Sequence, residues 1–370
     1  MQQINNYIHQ QSAWANFQWR DKDLIYLLGE VRYLQGRLLG KIEELGFDLK
    51  NEANLKNLTL DILKSNEIED EILDAEEVRS SLARRLGLEI SGLVPSDRHV
   101  DGVVEMMLDA LQKKDNSLTN DRLFGWHNSM FPSGRSGLYK IMVGEYRDDS
   151  LGAMQVVSGG MGKEQVHYEA PSANRMEAEM THFLKWFNQK QSLDPILKAG
   201  ISHFWFVTIH PFDDGNGRIA RALTDLLLSR ADGVSQRFYS LSAQIRVERK
   251  GYYAILEKEQ KGDLDITEWL LWFLTCLQNA LLASNEILAD VLYRHQFWKT
   301  HAQQNFNARQ TKVMNLLLDD FFGKLTTAKW AKMVKCSKDT ALRDIQDLMK
   351  KGILKKEMAG GRSTNYELVR

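Results

Sequence analysis

Apolar residues recur every three or four positions along the first part of the chain, the spacing of one face of an α-helix. This pattern predicts helices over residues 21–45 and 55–65. Asp74 has a side chain suited to a helix N-cap, and it predicts a third helix over residues 75–86. Residues 1–92 are therefore predicted to form a helical N-terminal domain.

The middle of the chain combines helical runs with one strand pattern. β-type residues alternate across residues 154–169 around Gly159, Gly160 and Gly162, which predicts a β-hairpin. The flanking apolar runs predict helices over residues 118–130, 175–188, 195–207 and 219–229. Residues 93–300 are predicted to form a second, mainly helical domain that carries this hairpin.

The last part of the chain has shorter elements. The pattern predicts three helices and two strands, over residues 310–318, 326–334, 338–351, 353–357 and 365–368. Gly360 and Gly361 are predicted to form the turn between the two strands. Three helices followed by a two-stranded wing are typical of a winged helix-turn-helix domain, which we predict over residues 305–370.

Charge is distributed unevenly along the chain. Residues 305–370 contain 14 Lys and Arg against 7 Asp and Glu, a net charge of +7, whereas the whole chain carries −1 and the remainder therefore −8. Such a basic domain either contacts nucleic-acid phosphates or presents a solvated face to a partner or a second copy. Within residues 338–362 the candidate phosphate contacts are Lys338, Arg343, Lys350, Lys351 and Arg362, and the opposing acids are Asp339, Asp344 and Asp347.

The remaining composition argues against secretion and against a membrane protein. Residues 1–20 are polar and lack the apolar run of a secretion signal. The most apolar stretch, residues 268–282, is interrupted by polar residues and is too short to span a bilayer. Cys276 and Cys336 lie far apart, without the spacing of metal ligands. We therefore expect a cytoplasmic protein that does not enter a membrane.

The strongest chemical signal lies at Gly215-Asn216-Gly217, directly before a predicted helix. Glycines allow backbone N–H groups to converge on one point, and a helix N-terminus adds partial positive charge there. The combination predicts a site for an anion.

Four neighbouring side chains indicate which anion this is. Arg218 and Arg221 lie three residues apart, on one face of a helical turn, and guanidinium groups bind phosphate oxygens well. Asp214 offers the oxygen ligand that Mg²⁺ prefers. His210 has a side chain able to take a proton near neutral pH. The set predicts a polyphosphate site with a base beside it.

The run from His210 to Arg221 resembles the signature of the Fic family, His-Pro-Phe-x-x-Gly-Asn-Gly-Arg-x-x-Arg, at every specified position. Residues 118–282 resemble the Fic core, and the stretch containing Trp14, Asn16, Phe17 and Trp19 resembles the helical domain that often precedes it. The resemblance implies a mainly α fold and the transfer of AMP from ATP to a Ser, Thr or Tyr hydroxyl of a protein.

The resemblance also implies a role for each motif position. His210 is the base that deprotonates the target hydroxyl, Asp214 holds Mg²⁺, and Phe212 anchors the loop. Asn216 and the neighbouring backbone bind the α-phosphate, and the two arginines bind the β- and γ-phosphates. The expected nucleotide-binding set is Gly215, Asn216, Gly217, Arg218, Arg221 and Tyr253. The hairpin, residues 156–169, corresponds to the flap on which the target protein docks by strand addition.

A second short motif resembles the inhibitory helix of some Fic proteins, Ser/Thr-x-x-x-Glu-Gly/Asn. Here the run is Ser65-Asn66-Glu67-Ile68-Glu69-Asp70, with Asp70 in place of Gly or Asn. The resemblance implies that Glu69 pairs with Arg221 and blocks the γ-phosphate position. An exposed helix with several neighbouring acids is the alternative interpretation of Glu69.

Three further features have competing interpretations. His203 precedes His210 by seven positions and could form a metal pair with it, but its aromatic neighbours favour packing. The glycine-rich run at residues 159–163 lacks the spacing of a phosphate loop and fits a turn of the flap. Tyr252 and Tyr253 either stack on an adenine or contact a neighbouring helix.

Taken together, these features predict an ATP- and Mg²⁺-dependent protein adenylyltransferase that Glu69 inhibits. Two alternatives stay open: a DNA-binding regulator whose Fic core senses nucleotide, and an enzyme that removes AMP from a modified protein. The identity of the target, self-modification and homodimer formation stay open as well.

Overall fold

The computed structural model describes residues 7–90, 92–150, 152–159, 165–190, 192–318, 321, 323–357 and 364–369. These residues are mainly helical, with three small β-sheets among them. Their contacts divide the chain into two compact units, Met1–Ile287 and Leu288–Arg370. The predicted boundary at residue 92 lies inside the first unit, and the three-domain division stays a prediction.

The helices of the first unit include every helix predicted before residue 230. Within the described residues, no helix is both long enough and apolar enough to cross a membrane. The helices are α1 (Asp21–Glu43), α2 (Phe47–Ile68), α3 (Ala75–Arg85), α4 (Arg98–Gln112), α5 (Asn120–Met130), α6 (Met176–Asn188), α7 (Pro195–Ile209), α8 (Asn216–Asp232), α9 (Leu241–Val247), α10 (Arg249–Gln260) and α11 (Thr267–Thr300), the last of which extends past Ile287.

Side-chain caps explain several helix starts. The Asp74 carboxylate accepts the N–H groups of Glu76 and Glu77 at 2.9 and 3.0 Å, so α3 begins where Asp74 predicts it. Asp194 caps α7 in the same way, and Pro195 follows at a position where no N–H is needed. The predicted helix starts at Asp74 and Pro195 are therefore confirmed.

Helices α4, α9, α10 and α11 are missing from the sequence-based prediction, which was wrong to omit them. Helix α4 has a regular apolar face that is buried in the structure, formed by Val100, Val103, Val104, Met107 and Leu111. Helices α9 and α10 are short and follow one another almost directly, and their polar residues conceal the period. Helix α10 carries Tyr252 and Tyr253.

Two β-hairpins lie in the first unit. The first pairs β1 (Arg135–Ser136) with β2 (Tyr139–Lys140) and was not predicted. The second pairs β3 (Gln155–Ser158) with β4 (Gln165–Glu169) in antiparallel register, which confirms the predicted hairpin. Its turn, including Gly160, Gly162 and Lys163, lies outside the described residues.

Helices α7 and α8 lie at the centre of the first unit. Every residue of α7 from Ile196 to Ile209 is buried, and all but a few residues of α8 are buried as well. Gly200 permits a close helix contact, because a Cβ atom there would lie 2.9 Å from the Phe273 ring. Since α7 and α8 are buried on all sides, the loop between them, residues 210–215, is fixed at both ends.

The aromatic N-terminal stretch packs on α7. The Trp14 and Phe17 rings contact the Trp205 ring, with centroids 6.4 and 5.6 Å apart. The Trp14 indole N–H donates to Glu179 on α6 at 2.8 Å. Apart from one short 3-10 turn, residues 7–20 form no helix, so this stretch covers the core without extending the helical array.

The second unit has its own core and a mixed set of elements. Val313, Met314, Trp330, Ile345 and Leu348 are among its buried residues. The elements are α12 (Ala308–Leu318), β5 (Leu325–Thr326), α13 (Thr327–Met333), α14 (Lys338–Lys350), β6 (Leu354–Lys356) and β7 (Asn365–Leu368), and the sheet order is β5-β7-β6.

These elements match the helices and strands predicted after residue 305, with the addition of β5. The turn at Gly360 and Gly361 and the side chain of Arg362 lie outside the described residues. The winged helix-turn-helix interpretation stays a prediction.

Candidate active site

The loop from His210 to Gly215 has two backbone positions in the left-handed region. His210 ends α7 with φ 54° and ψ 60°, and its N–H donates to the Phe206 carbonyl at 3.0 Å. Gly215 precedes α8 with φ 82°. A left-handed histidine is uncommon and persists only where its surroundings hold it.

Arg147, which the sequence motifs do not indicate, provides that hold. Its Nε donates to the His210 carbonyl at 2.7 Å, and its backbone N–H donates to the Pro211 carbonyl at 3.0 Å. Its Nη2 donates to the Pro171 carbonyl, just beyond β4, at 2.5 Å. The buried guanidinium therefore connects the base of the flap to the start of the motif.

The environment of His210 determines which ring nitrogen can accept a proton. Nδ1 lies 3.2 Å from the Val207 carbonyl oxygen, which can only accept, so Nδ1 carries the hydrogen and Nε2 has a free lone pair. Burial lowers the pKa of the imidazole to about 4. His210 is therefore neutral near pH 7, the state a general base needs.

Asn216 closes the loop with its side chain. Its amide donates to the Phe212 carbonyl at 2.7 Å and accepts the Phe212 N–H at 3.0 Å. Phe212 is fully buried, as expected for an anchor. Because the side-chain amide of Asn216 is engaged inside the loop, a phosphate would meet the backbone of Asn216 before its side chain.

His127 supports the same loop from α5. Its ring stacks on Phe212 with centroids 4.3 Å apart, and its Nε2 lies 3.1 Å from the Asp214 carbonyl oxygen. The Gly144 N–H donates to Nδ1 at 3.2 Å, so the proton resides on Nε2 and is donated to Asp214. Burial lowers the pKa of His127 and favours this neutral form.

The two motif aspartates have different surroundings. Asp213 accepts the Met142 N–H at 2.8 Å and so fixes the segment after β2. Asp214 is partly exposed, accepts a hydrogen bond from Ser136, and lies 3.7 Å from Arg218 Nη2. Both carboxylates are partly exposed, and Asp214 is the one that faces Arg218.

The first turn of α8 already holds a carboxylate. A Cβ atom on Gly217 would lie 2.1 Å from Glu69 Oε1, so only glycine allows Glu69 to approach this closely. Glu69 reaches the site from the end of α2. A carboxylate therefore lies where the sequence predicts an anion site.

Arg221 is fully buried and binds the end of α2. Its Nε donates to the Ser65 hydroxyl at 2.8 Å, and its Nη2 donates to the Ser65 carbonyl at 2.9 Å and to Glu69 Oε1 at 2.8 Å. The remaining nitrogen, Nη1, has no hydrogen-bond partner among the described residues. The structure thus brings together Ser65, Glu69 and Arg221, as predicted from the inhibitory motif.

The chain reverses after Glu69 in a Schellman turn. The Asp70 N–H donates to the Glu67 carbonyl at 3.2 Å, and the Glu71 N–H donates to the Asn66 carbonyl at 3.0 Å. Asp70 has φ 59°, the left-handed position that glycine and asparagine favour. This geometry explains why the motif has Gly or Asn there, and Asp70 tolerates it with its carboxylate bound by Arg249 at 2.6 and 2.7 Å.

Tyr253 is hydrogen-bonded to Glu69, whereas Tyr252 is directed into the core. The Tyr253 hydroxyl donates to Glu69 Oε2 at 3.2 Å, and its ring is partly exposed. The Tyr252 hydroxyl lies 2.8 Å from His203 Nε2 within the core. Tyr252 and His203 therefore have packing roles, whereas contact of Tyr253 with an adenine stays a prediction.

Arg218 has an acidic partner that the motifs do not indicate. Its Nη1 donates to Glu71 Oε2 at 2.6 Å, and its guanidinium lies over the Phe131 ring, 5.0 Å from the centroid.

Among the described residues, no group of three or more His, Cys, Asp or Glu side chains is arranged to hold a metal ion. Asp214, partly exposed beside Arg218, is a candidate ligand, and Mg²⁺ in nucleotide sites usually needs only one or two carboxylates beside phosphates and water.

Comparison with known proteins agrees with this geometry. The Fic/DOC family model matches residues 117–228, and a domain of unknown function (DUF4172) matches residues 7–88. The protein adenylyltransferase Fic of Aedes aegypti is 33% identical over 120 residues, 31% of this chain and 23% of that protein. Its namesake in Nematostella vectensis is 26% identical over 209 residues, 55% of this chain and 43% of that protein. The chain thus spans less than half the length of these relatives.

Two solved structures have a similar fold. A Fic family protein from Desulfovibrio desulfuricans G20 is 20% identical with a TM-score of 0.50, over 94% of this chain and 96% of that chain. A Fic domain containing signaling protein from Bacteroides thetaiotaomicron is 22% identical with a TM-score of 0.51, over 70% of this chain and 97% of that chain. The predicted mainly α, Fic-type fold is confirmed. Residues 117–228 of the chain are therefore similar to the Fic/DOC family in sequence, and the fold is of the Fic type.

Proposed function

We propose that this chain transfers AMP from ATP to a Ser, Thr or Tyr hydroxyl of a protein. The hydroxyl oxygen attacks the α-phosphorus, the bond from the α-phosphorus to the bridging oxygen of the β-phosphate breaks, and pyrophosphate leaves. The observation that carries the proposal is the position of His210 at one end of a loop whose other end is the anion-binding start of α8.

His210 takes the proton of the attacking hydroxyl on Nε2. The hydrogen bond from Nδ1 to Val207 fixes the tautomer, and Arg147 fixes the backbone of the loop. General base catalysis of this kind contributes roughly 10²–10⁴-fold in rate.

The start of α8 binds the phosphates. Backbone N–H groups of residues 215–217 and the guanidinium groups of Arg218 and Arg221 direct positive charge to one region. Fixed donors facing the charge that develops in a transition state contribute roughly 3 kcal/mol each. Asp214, the motif carboxylate beside Arg218, would hold Mg²⁺, which neutralises phosphate charge when bound.

Glu69 inhibits the reaction in this proposal. Its carboxylate lies against Gly217 and Arg221, so it competes with phosphate for the same positive groups. Ser65 strengthens the competition by occupying two further Arg221 hydrogen bonds. ATP can bind fully only after Glu69 has moved.

The flap, residues 156–169, docks the target protein. Strands β3 and β4 form an isolated two-stranded sheet, and such a sheet can accept a further strand through backbone hydrogen bonds. Ser158 and His167 side chains are bonded to each other across the hairpin at 2.6 Å. Backbone docking of this kind accommodates targets of varied sequence, including another copy of the chain.

Label transfer in a cell lysate tests the proposal. Wild-type and Glu69→Gly proteins are incubated with lysate and each α-labelled nucleoside triphosphate, and labelled bands are identified. We expect ATP to label protein, with more label from Glu69→Gly. Glu67→Gly is the matched control, because it places the same glycine in the same helix end. Equal labelling by all three proteins would contradict inhibition by Glu69.

Removal of AMP from a modified protein is a second candidate reaction at the same phosphate site. The position of Glu69 beside the phosphate site supports it, because a carboxylate there could orient a water molecule. Wild-type protein mixed with an AMP-modified substrate would then release AMP, and Glu69→Gln would not. No release by wild type would rule this direction out.

Binding of duplex DNA by the second unit is a candidate function of another class. Two of the three α14 acids are engaged internally: Asp344 is buried and bound by Arg309 at 2.7 Å, and Asp347 by Lys351 at 2.5 Å. Lys338, Arg343 and Lys350 remain exposed on this helix. A gel shift that weakens with salt and with Arg343→Glu would support DNA binding, and no shift at low salt would exclude it.

A further inference from the structure

Glu71 pairs with Arg218, the first arginine of the motif, much as Glu69 pairs with Arg221, the second. Arg218 Nη1 donates to Glu71 Oε2 at 2.6 Å, and the Arg218 side chain is 4% exposed. Its Nε is buried without a hydrogen-bond partner among the described residues. Arg218 is thus enclosed with one strong acidic contact, and a phosphate has to replace that contact.

The Schellman turn at the end of α2 directs both Glu69 and Glu71 to the first turn of α8. Glu69 precedes the turn and Glu71 follows it, so each side chain reaches the first turn of α8. Asp70, between them, is directed to Arg249 on α10 instead. Three consecutive acids therefore bind three different arginines, and two of those arginines belong to the motif.

His99 on α4 holds Glu71 from its other side. Its Nε2 lies 2.7 Å from Glu71 Oε1, and its Nδ1 lies 2.8 Å from the Met130 carbonyl oxygen. One Glu71 oxygen therefore binds His99 and the other binds Arg218. A carboxylate with both oxygens engaged is held in position even when Glu69 is absent.

We propose that Glu71 is a second inhibitory carboxylate, which closes Arg218 independently of Glu69. The proposal rests on the proposed function, because it concerns the same phosphate site. Removing Glu69 takes the carboxylate away from Arg221 but leaves Arg218 paired with Glu71, so a protein without Glu69 is only partly released. Full release requires that the Glu71 contact be broken as well.

The test is ATP affinity, measured by calorimetry in the presence of Mg²⁺. Four full-length proteins are compared: wild type, Glu69→Gly, Glu71→Gln, and Glu69→Gly with Glu71→Gln. Phosphate binding at Arg218 requires that its hydrogen bond with Glu71 be broken, and a cost of about 1.4 kcal/mol corresponds to a tenfold change in affinity. We therefore expect the double variant to bind ATP about tenfold more tightly than Glu69→Gly.

The matched control is Asp70→Asn in the Glu69→Gly protein. Asn keeps the left-handed conformation, and the acid it removes binds no motif arginine, so ATP affinity should not change. If Glu71→Gln unfolds the chain, His99→Gln in the same background removes one partner of Glu71 and should tighten ATP binding by about threefold.

The outcomes separate the two proposals. Equal ATP affinity in Glu69→Gly and the double variant, with Glu69→Gly still transferring label, would overturn the role of Glu71 and leave the proposed function intact. Tighter ATP binding without any label transfer would support Glu71 and contradict AMP transfer. Absence of ATP binding in all variants would contradict both.

Discussion

At the scale of single residues, the anion site at the start of α8 is already occupied by side chains of the same chain. Glu69 lies against Gly217 and Arg221, and Glu71 binds Arg218. In the proposed function a nucleotide phosphate has to displace both carboxylates. Phosphate binding at this site would therefore depend on Glu69 and Glu71 as much as on the motif residues.

The pH dependence of catalysis should follow the unusual environment of His210. Burial lowers the pKa of its imidazole to about 4, so the base stays unprotonated well below its usual range near 6.5. The kcat/KM of the protein with both Glu69→Gly and Glu71→Gln for ATP, which reports the free enzyme, should therefore stay level from pH 8 down to about 5. A decline centred near 6.5 would contradict this assignment.

The His99–Glu71 pair should contribute a pH-dependent part of the stability. Glu71 raises the pKa of His99 above its unfolded value, although the charge of Arg218 lowers it. The charge of Asp214, which lies nearby, acts to raise the pKa of Glu71. A raised histidine pKa stabilises the fold fully below about pH 6.5, and the contribution is lost as the pH rises through the folded pKa. The difference in unfolding free energy between wild type and His99→Gln should shrink from pH 6 to pH 9; a difference that grows would be inconsistent.

The motif residues could be predicted from the sequence because they are contiguous, and their partners could not. Residues 210–221 lie in one loop and one helix, so their proximity is a matter of local geometry. Arg147, His127 and His99 come from other elements and meet the site only through the packing of the first unit. No spacing in the sequence links them to the motif.

At the scale of elements, the end of α2 is set by the left-handed residue Asp70. A β-branched residue is strained at φ 59°, at a cost of roughly 1–2 kcal/mol. Asp70→Val should therefore lower the unfolding free energy by about that amount in urea titrations, whereas Asp70→Asn should stay within about 0.5 kcal/mol of wild type. Equal stability of the two variants would argue against a Schellman turn.

Helix α10 was missed in the sequence, yet it contacts both the inhibitory turn and the flap. Arg249, Tyr253 and Glu257 lie four residues apart on one face. Arg249 binds Asp70, and Tyr253 binds Glu69. Glu257 Oε2 lies 2.7 Å from His167 Nδ1 in the flap. These residues are polar or aromatic, stay partly exposed and bind polar partners on neighbouring elements, so hydrophobic periodicity could not identify the face.

At the scale of the whole molecule, a buried charge network joins several elements of the first unit. Arg237 binds Asp225 at 2.8 Å and Asp232 at 3.0 Å, and its backbone N–H donates to Asn54 on α2 at 2.8 Å. Removing one member of a buried ion pair typically costs about 3–5 kcal/mol.

Arg237→Met should therefore lower the unfolding free energy by about 3–5 kcal/mol, because two carboxylates stay buried without their cation. Arg249→Met removes a more exposed pair with Asp70 and should cost no more than about 1 kcal/mol. Thermal or chemical unfolding of both variants measures the difference, and similar losses would contradict a special role for the Arg237 network.

Transfer of the AMP part of ATP by His210 is tested most directly by the distribution of two labels. Glu69→Gly protein is incubated with ATP labelled on either the α- or the γ-phosphate, beside Glu69→Gly with His210→Ala. We expect protein to acquire label from α-labelled ATP only, and the His210→Ala protein to acquire none. Label from γ-labelled ATP, or undiminished α-label without His210, would contradict the account.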